Sequence, residues 1–207
     1  MSRLKIAVLI SGGGSNLQAL IDAVEQGNIK GKIAVVISDK ENAYGLQRAK
    51  DNNIEAVAIN KKSFDSKTNF DAEMSKQLRS RNVDLIILAG FLSILPMDII
   101  KEYEGKIINI HPSLIPSFCG NGFYGEKVHK AVIEYGVKVS GATVHFVDEG
   151  TDTGAIILQQ AVTVTDEDTA ETLAAKVLVV EHWLIVKAVA LFCDGKLTIQ
   201  GRRVKIL

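Results

Sequence analysis

The stretch LKIAVLISGGGSN, residues 4–16, decides how the chain begins to fold. Its first seven residues are apolar except for Lys5, which is typical of a strand that is buried on both faces of a sheet. Three consecutive glycines then end the run and allow a tight turn. Helix-like sequence follows from Asn16 to about residue 26. A strand, a glycine turn and a helix in this order predict the start of a parallel α/β sheet.

The same alternation continues through the first half of the chain. Further strand-like runs lie at residues 33–38, 55–59, 84–89 and 106–110, and further helix-like stretches lie at residues 43–52, 69–80 and 96–103. Continuous runs of Val, Ile and Leu, rather than alternating ones, indicate strands that are covered on both faces. The pattern therefore predicts a Rossmann-like, mostly parallel twisted sheet flanked by helices.

The second half has a different order of elements. A helix at about residues 125–135 precedes two longer strand candidates, 139–147 and 155–164, which are close enough to form an antiparallel hairpin. A long helix, opened by Thr165-Asp166-Glu167-Asp168, runs to about residue 192, and a last pair of strands follows. We predict one domain over residues 1–207, with an N-terminal half of about 1–105, a C-terminal half of about 106–207, and an antiparallel C-terminal extension.

Composition argues against several classes of function. The 207 residues include 24 Lys and Arg against 24 Asp and Glu, so the net charge indicates neither nucleic acid nor an anionic membrane surface as a partner. The first apolar run ends at Ser11, far short of the length that spans a membrane. Two cysteines, Cys119 and Cys193, without metal-ligand spacing predict reduced thiols in a cytoplasmic protein with no metal site.

The glycine turn is a candidate phosphate site, because glycines let backbone amides approach a ligand and a helix N-terminus attracts anions. Ser15 and Gln18 have the spacing of a capping box, so we expect Ser15 to cap the helix. Leu17 stands at the third glycine position of the dinucleotide fingerprint, which weakens a nucleotide-cofactor interpretation. Asp39, after the second strand, could still act as a ribose-binding carboxylate. A tight turn without a ligand is the alternative.

The fifth strand candidate ends in Asn109-Ile110-His111-Pro112-Ser113. Side chains alternate along a strand, so Asn109 and His111 face the same side. Pro112 ends the strand because it has no N–H for further pairing. An amide donor beside a titratable imidazole can stabilise an oxyanion and move a proton, which is the chemistry of acyl-type transfer.

A nearby carboxylate could adjust that imidazole. Asp148, Glu149 and Asp152 lie in the turn-rich segment between the two later strands, and a negative charge near His111 would raise the pKa of the imidazole. Spacing does not choose among the three, and a turn carboxylate that binds backbone N–H groups is the alternative. The other histidines are interpreted as structural: His145 packed in a strand, His129 on a solvated helix face, and His182 in a core.

Four motifs together resemble a known family. They are ISGGGSN (residues 10–16), LAGF (88–91), NIHPSLIP (109–116) and the segment from Gly141 to Gly154, in this order over essentially the whole chain. In this combination the chain is similar to the single-domain, folate-dependent phosphoribosylglycinamide formyltransferases of purine biosynthesis. The resemblance implies the formyltransferase fold and transfer of a formyl group from 10-formyltetrahydrofolate to the glycine amine of 5′-phosphoribosylglycinamide.

The resemblance also implies roles for residues. Asn109 and protonated His111 would stabilise the oxyanion of a tetrahedral intermediate, and Asp152 would raise the pKa of His111 and orient a water molecule; no metal takes part. The residues expected to bind the phosphate and ribose are Gly13, Gly14, Ser15, Asn16 and Glu181. The residues expected to bind the folate are Lys67, Leu92, Ser93, Ile94, Leu95, Asn109, Asp148, Glu149, Gly150 and Thr151.

Four positions depart from the usual pattern of that family. Ser93 and Lys67 stand where relatives often carry Arg, so the planar guanidinium fork is lost at both. Cys119 replaces a common Pro, and Thr151 replaces an apolar residue. The first three bear on loop shape and folate affinity, and Thr151 bears on the loop that carries Asp152.

Other activities are alternatives. Methionyl-tRNA formyltransferases add a C-terminal domain and formyltetrahydrofolate hydrolases add an N-terminal one, so the length of the chain favours the glycinamide enzyme. A nicotinamide-dependent oxidoreductase is disfavoured by the missing third glycine, and a non-catalytic folate or nucleotide sensor by the presence of Asn109, His111 and Asp152. The expected partners are the two small-molecule substrates, and both a monomer and a homodimer are compatible with the sequence.

Overall fold

The computed structural model describes residues 3–207, and the chain divides into two compact units after Ile108. The N-terminal unit ends with Ile108 and the C-terminal unit begins with Asn109, inside a strand. That the whole chain works as one domain stays a prediction.

The N-terminal unit alternates strands and helices as predicted. Its elements are β1 (Leu4–Ile10), α1 (Ser15–Glu25), β2 (Gly31–Ser38), α2 (Tyr44–Asp51), β3 (Glu55–Ala58), a 3₁₀ turn (Lys61–Ser63), α3 (Lys67–Arg79), β4 (Leu85–Leu88) and α4 (Met97–Glu102). The strands lie in the order β3-β2-β1-β4, and every pairing among them is parallel. The Ile86 N–H donates to the Lys106 carbonyl, just before β5 (Ile107–His111).

Burial explains why these runs form central strands. In β1 the residues from Ile6 to Ile10 are at most 1% exposed, and in β4 Leu85, Ile86 and Ile87 are fully buried. A strand that is apolar at consecutive positions can be stable only when both faces of the sheet are covered. The sequence pattern of the N-terminal unit is thus confirmed.

The C-terminal unit contains the end of β5 followed by α5 (Glu126–Tyr135), β6 (Val139–Phe146), β7 (Ile156–Thr163), α6 (Ala170–Cys193), β8 (Leu197–Gln200) and β9 (Arg203–Ile206). The strand order continues from β5 as β6-β7-β9-β8. The β6–β7 and β8–β9 pairs are antiparallel, and β7 joins β9 through one parallel pair of residues. A mostly parallel sheet with an antiparallel C-terminal extension is therefore confirmed.

The start of α1 differs from the prediction. Gly14, not Ser15, is the N-cap residue, and no side chain caps the helix. Gly14 has a left-handed backbone with φ 70°, which glycine adopts without steric cost, so the chain turns into the helix one residue early. The Gln18 N–H donates to the Gly14 carbonyl, and Ser15 becomes the first helical residue.

The long helix α6 starts later than its acidic opening segment. The Asp168 carboxylate accepts a hydrogen bond from the Thr165 N–H at 2.8 Å, which makes residues 165–168 a turn. Thr169 then caps the helix in a reciprocal capping box with Thr172. In residues 3–207 no helix is both long enough and apolar enough to cross a membrane.

Candidate active site

The end of β5 faces Asp152, which is one of the three carboxylates that the sequence left as possible partners of His111. The His111 Nδ1 atom lies 3.6 Å from Asp152 Oδ2, and the Asn109 Nδ2 atom lies 3.5 Å from Asp152 Oδ1. The side chains of His111 and Asp152 are only 5% and 10% exposed. The C-terminal unit thus brings the amide, the imidazole and one carboxylate together.

The other two carboxylate candidates lie elsewhere. Asp148 Oδ1 accepts hydrogen bonds from the Gly150 N–H at 3.1 Å and the Thr153 hydroxyl at 2.5 Å, so Asp148 stabilises its own turn. Glu149 is exposed. Asp152 itself has φ 58°, a left-handed conformation that Asp adopts more readily than most side chains. The geometry selects Asp152 as the partner of His111.

His145 belongs to the same cluster, which its interpretation as a packed strand residue missed. Its Nδ1 lies 2.7 Å from the Phe146 carbonyl, and its Nε2 lies 3.1 Å from Asn109 Nδ2. Because a carbonyl only accepts, Nδ1 carries a proton, and with Nδ1 as its donor the ring can accept from the Asn109 amide at Nε2. His145 is 1% exposed and orients Asn109. Strand pairing, which spacing does not reveal, places it there.

The other ring nitrogen of His111 is occupied as well. His111 Nε2–H donates to the Phe118 carbonyl at 3.0 Å, so the proton acceptor Nδ1 faces Asp152. Burial lowers the pKa of His111, whereas Asp152 and the Phe118 carbonyl raise it and His145 lowers it further. Asp152 acts in the expected direction, but burial outweighs it, so the pKa of His111 lies below its ordinary value.

Asp152 remains ionised in this setting. Burial raises the pKa of its carboxyl, but the rings of His145 and His111, which favour the carboxylate when they are protonated, and a hydrogen bond from the Gly120 N–H outweigh burial. That N–H lies 2.8 Å from Asp152 Oδ2. The net pKa is below the usual value for Asp. An ionised carboxylate that is largely buried therefore lies beside the His111 ring.

Two of the departures from the family pattern lie in the segments that meet at Asp152. The Cys119 thiol donates to the Pro116 carbonyl at 3.3 Å, and the Thr151 hydroxyl donates to Asn121 Oδ1 at 3.4 Å. Burial and the charge of Asp152 raise the pKa of Cys119, which keeps it a thiol. Thr151 thus links the loop of Asp152 to the segment after β5, whereas Cys119 makes a contact within its own turn.

His129 is buried, contrary to its interpretation as a solvated residue. It is 4% exposed on the face of α5 that also buries Val128 and Val132. Burial, together with the charge of His111, lowers its pKa. Glu181, expected to contact a ribose, lies on the buried side of α6 and is 9% exposed.

The glycine turn of the N-terminal unit is held from one side. Arg48 Nε donates to the Gly13 carbonyl at 2.8 Å, and the Gly45 N–H donates to the Gly12 carbonyl at 3.1 Å. A methyl group on Gly14 would come within 2.8 Å of Gly45 Cα, whereas one on Gly13 would meet no atom within 4 Å. The first turn of α1 contains no acidic residue. The turn is therefore closely packed at Gly14 and open at Gly13. Sequence reasoning did not find Arg48.

The segment after β4, expected to contact folate, presents apolar side chains to solvent. Leu92 and Ile94 are 48% and 67% exposed. The Leu92 N–H donates to the Ser11 hydroxyl at 2.8 Å, and the Ser93 hydroxyl donates to Asp39 Oδ2 at 2.7 Å. Asp39, considered above as a ribose carboxylate, is thus engaged by the side chain that stands where relatives often carry Arg.

Lys67, the remaining predicted folate contact of the N-terminal unit, is the first residue of α3. It forms an ion pair with Asp71 one helical turn later, and its side chain is 59% exposed. A long, exposed cation is available to an anionic group in solvent.

Comparison with known proteins accounts for these motifs. Residues 4–189 match the formyl transferase family. The chain is 43% identical over 195 residues to the chloroplastic phosphoribosylglycinamide formyltransferase of Vigna unguiculata, which covers 94% of this chain and 62% of that protein. It is 45% identical over 195 residues to the trifunctional purine biosynthetic protein adenosine-3 of Drosophila melanogaster, covering 93% of this chain and 14% of that protein.

The chain therefore spans about three-fifths of the first of these curated relatives and about one-seventh of the second. A solved structure, glycinamide ribonucleotide transformylase 1 from Symbiobacterium toebii, superposes with a TM-score of 0.93 at 44% identity and covers 99% of this chain and 94% of that chain. The chain belongs to the formyl transferase family, in its phosphoribosylglycinamide formyltransferase branch.

Proposed function

We propose that this chain transfers the formyl group of 10-formyltetrahydrofolate to the glycine amine of 5′-phosphoribosylglycinamide, giving formylglycinamide ribonucleotide in de novo purine (IMP) biosynthesis. The observation that carries the proposal is the cluster of Asn109, His111 and Asp152, which lies in a chain similar to a protein named phosphoribosylglycinamide formyltransferase. An amide donor, an imidazole and an ionised carboxylate fit an acyl-type transfer.

The proposed reaction is a direct transfer between two bound substrates. The glycine amine attacks the formyl carbon, the new C–N bond forms, and the carbonyl oxygen becomes an oxyanion that Asn109 and His111 stabilise. The bond from carbon to folate N10 then breaks. The proton lost by the amine is delivered to N10 through a water molecule that Asp152 orients. The step needs no covalent enzyme intermediate, and we propose that it needs no metal.

The electrostatics of the cluster suit this role. A neutral His111 costs less to bury than a cation, and its pKa is held low in the free protein mainly by burial. An oxyanion that develops beside the ring raises the pKa of His111, so Nδ1, which faces the Asp152 carboxylate, takes up a proton from solvent and the ring stabilises the oxyanion through its positive charge. The interaction is therefore strongest when the charge develops, which is what lowers a barrier.

We propose that the turn from Gly13 to Asn16 binds the substrate phosphate. The support is the open space at Gly13, the absence of acidic residues in the first turn of α1, and the preference of helix N-termini for anions. Glu181 is proposed to bind the ribose.

Folate is proposed to bind along two loop segments. In the first segment, Leu92 and Ile94 offer exposed apolar side chains, while Ser93 and the buried Leu95 are proposed to contribute backbone groups. In the second segment, Asp148, Glu149, Gly150 and Thr151 offer a turn beside Asp152. Lys67 is proposed to contact the anionic tail of the folate through its exposed ammonium group. Asn109 is proposed to contact the formyl end.

The test is an assay of the purified chain with both substrates, in which the folate product is followed by its absorbance. We expect turnover that depends on phosphoribosylglycinamide. A control reaction with formyltetrahydrofolate alone measures hydrolysis. A second control, with a nicotinamide cofactor and the amine substrate, measures oxidoreductase activity. Turnover that is equal with water alone would assign a hydrolase and contradict the proposal.

We further propose that the chain acts in the cytoplasm on these two small molecules, without nucleic acid or membrane partners, as a monomer or homodimer. The balanced charge and the two free thiols, Cys119 and Cys193, support this assignment. Light scattering over a range of protein concentrations measures the oligomeric state.

A further inference from the structure

A buried serine holds the peptide group that contacts His111. The Ser113 hydroxyl lies 2.6 Å from the Ser117 carbonyl oxygen and 3.2 Å from the Phe118 carbonyl oxygen. Ser113 is 1% exposed, so no water competes for this donor. The Phe118 carbonyl is the same group that accepts from His111 Nε2–H at 3.0 Å. One hydroxyl thus holds the turn that presents the acceptor to the imidazole.

The base of the same turn is fixed by two side chains of the β6–β7 hairpin. The Thr143 hydroxyl donates to the Ser113 carbonyl at 2.6 Å and accepts from the Ile115 N–H at 3.1 Å. Gln159 Nε2 donates to Thr143 Oγ1 and to the Ile115 carbonyl, each at 3.0 Å. The single proton and both lone pairs of the Thr143 hydroxyl are used. Ser113 therefore has a fixed backbone from which to hold the turn.

The Phe118 peptide needs such support. Phe118 has φ 50°, the left-handed conformation that bulky side chains rarely adopt. Its ring packs edge-on against Phe123 and Tyr135, with centroids 6.3 and 5.9 Å away. The ring contacts hold the side chain, the Ser113 hydroxyl holds the preceding carbonyl, that of Ser117, and His111 donates to the Phe118 carbonyl itself.

We propose that Ser113 is a positioning residue for His111, because its hydroxyl donates mainly to the Ser117 carbonyl and so fixes the turn whose next carbonyl, that of Phe118, orients the imidazole with Nδ1 toward Asp152. The consequence for formyl transfer rests on the proposed function, whereas the orientation of the ring is a property of the free protein.

The groups around the imidazole set the sign of the expected change. Asp152 raises the pKa of His111, His145 lowers it, and His129, packed on α5, interacts with the charge of His111. The Phe118 carbonyl raises the pKa of His111 because it accepts from the protonated ring. A carbonyl that is no longer held contributes less of this effect, so loss of the Ser113 hydroxyl should lower the pKa of His111.

The test compares Ser113→Ala with Ser140→Ala by NMR titration of ¹⁵N-labelled histidine in the substrate-free protein. Ser140 is a matched control, since it is 3% exposed in the same unit and its hydroxyl has no hydrogen-bond partner among residues 3–207. We expect Ser113→Ala to move the His111 titration to lower pH and to weaken the Nε2–H signature. Ser140→Ala, and the signals of His182 in both variants, should not move.

Two further variants separate positioning from packing. Ser113→Thr retains the hydroxyl and should keep the wild-type titration, while Ser113→Cys fills similar space with a weaker donor and should shift it in the same direction as Ala, by less. Thermal unfolding checks that each variant is folded. A His111 titration and Nε2–H signature unchanged in folded Ser113→Ala would overturn the proposal.

The catalytic consequence is measured separately. We expect Ser113→Ala to reduce kcat about tenfold with little change in either KM, because a misplaced catalytic group affects the transition state more than the bound substrates. An unchanged kcat with a shifted titration would refute the positioning role in catalysis. If the wild-type chain has no formyl transfer activity, the proposed function fails, and the NMR comparison still decides the orientation of His111.

Discussion

The two units present their candidate binding groups in different ways. In the N-terminal unit the groups are backbone amides of a glycine turn, whose shape depends on one left-handed residue, Gly14, and on Arg48 behind it. In the C-terminal unit they are side chains, Asn109, His111 and Asp152, held by burial and by a chain of hydrogen bonds. A binding site made of backbone amides depends on the local conformation of the chain. A site made of side chains depends on every neighbouring group that sets their orientation and protonation.

The largest expected effect breaks the side-chain cluster. His111→Ala, Asp152→Ala and Asn109→Ala should each lower kcat by about 10²–10³, which is the usual cost of removing one oxyanion donor or one acid–base group. KM values should change far less, because the cluster acts where charge develops. Steady-state kinetics measure both. His182→Gln, on α6, is the control, and a near-normal kcat in any of the three variants would remove that residue from the proposed mechanism.

The second prediction contrasts two glycines of the backbone site. Gly14→Ala should destabilise the chain by about 1–2 kcal/mol for its left-handed φ, with an added cost from the close approach to Gly45. Gly13→Ala should leave stability within about 0.5 kcal/mol, because a methyl group there meets nothing. If a phosphate approaches Gly13, the same variant should raise KM for phosphoribosylglycinamide about tenfold by steric exclusion.

Urea unfolding and steady-state kinetics measure the two effects of this pair. The KM for the folate is the internal control and should not change. An unchanged KM for phosphoribosylglycinamide in Gly13→Ala would exclude close contact between the phosphate and this residue.

The third prediction concerns acid sensitivity, which should arise in the C-terminal unit because all four histidines belong to it. Burial lowers the pKa of His111, His129 and His182 from 6.5 in the folded chain. Below pH 6.5 the unfolded chain therefore binds protons that the folded chain excludes. The free energy of unfolding that these histidines contribute is present above pH 6.5 and is lost as the pH falls below it. The lowered pKa of Asp152 adds a loss only at much lower pH, below 3.8.

Urea unfolding at about pH 7.5 and about pH 5.5 measures this loss. His129→Gln should reduce the difference between the two free energies of unfolding, and Ser140→Ala, which removes no titratable group, should retain the wild-type difference. Stability that rises on acidification would contradict the assigned pKa directions.

The smallest expected effect tests whether an exposed side chain contributes to binding in the N-terminal unit. Lys67→Ala should raise KM for the folate about threefold and leave kcat unchanged, because exposed ion pairs are worth less than about 1 kcal/mol. Lys67→Arg restores the charge and should restore KM. Raised salt should reduce the difference between wild type and Lys67→Ala. A large fall in kcat would place Lys67 closer to the chemistry than proposed.

Much of the fold could be predicted from the sequence because burial leaves a periodic record. The runs of β1 and β4 have no polar residue at their buried positions, and consecutive apolar residues are unstable on an exposed face. Helix starts were less predictable. Ser15 has the residue type and spacing of a cap, yet the conformation of the preceding glycine decided where α1 begins.

The candidate site was predictable only in part. Alternation along β5 placed Asn109 and His111 on one side, and the motifs suggested Asp152, which geometry selects over Asp148 and Glu149. The contacts of His145, Ser113 and Gly120 had no sequence signal, because each joins residues whose separation in the chain follows no local period. The roles proposed for the candidate site in binding and catalysis stay predictions.

By itself, the sequence determined the order of strands and helices, the buried faces, the glycine turn and the residue types available for chemistry, since these depend on local period and side-chain chemistry. Only the tertiary structure decided which carboxylate meets His111, which ring nitrogen carries its proton, and that burial outweighs Asp152 in setting its pKa. The physical reason is that protonation and desolvation depend on distances between segments far apart in the chain, and those distances exist only after folding.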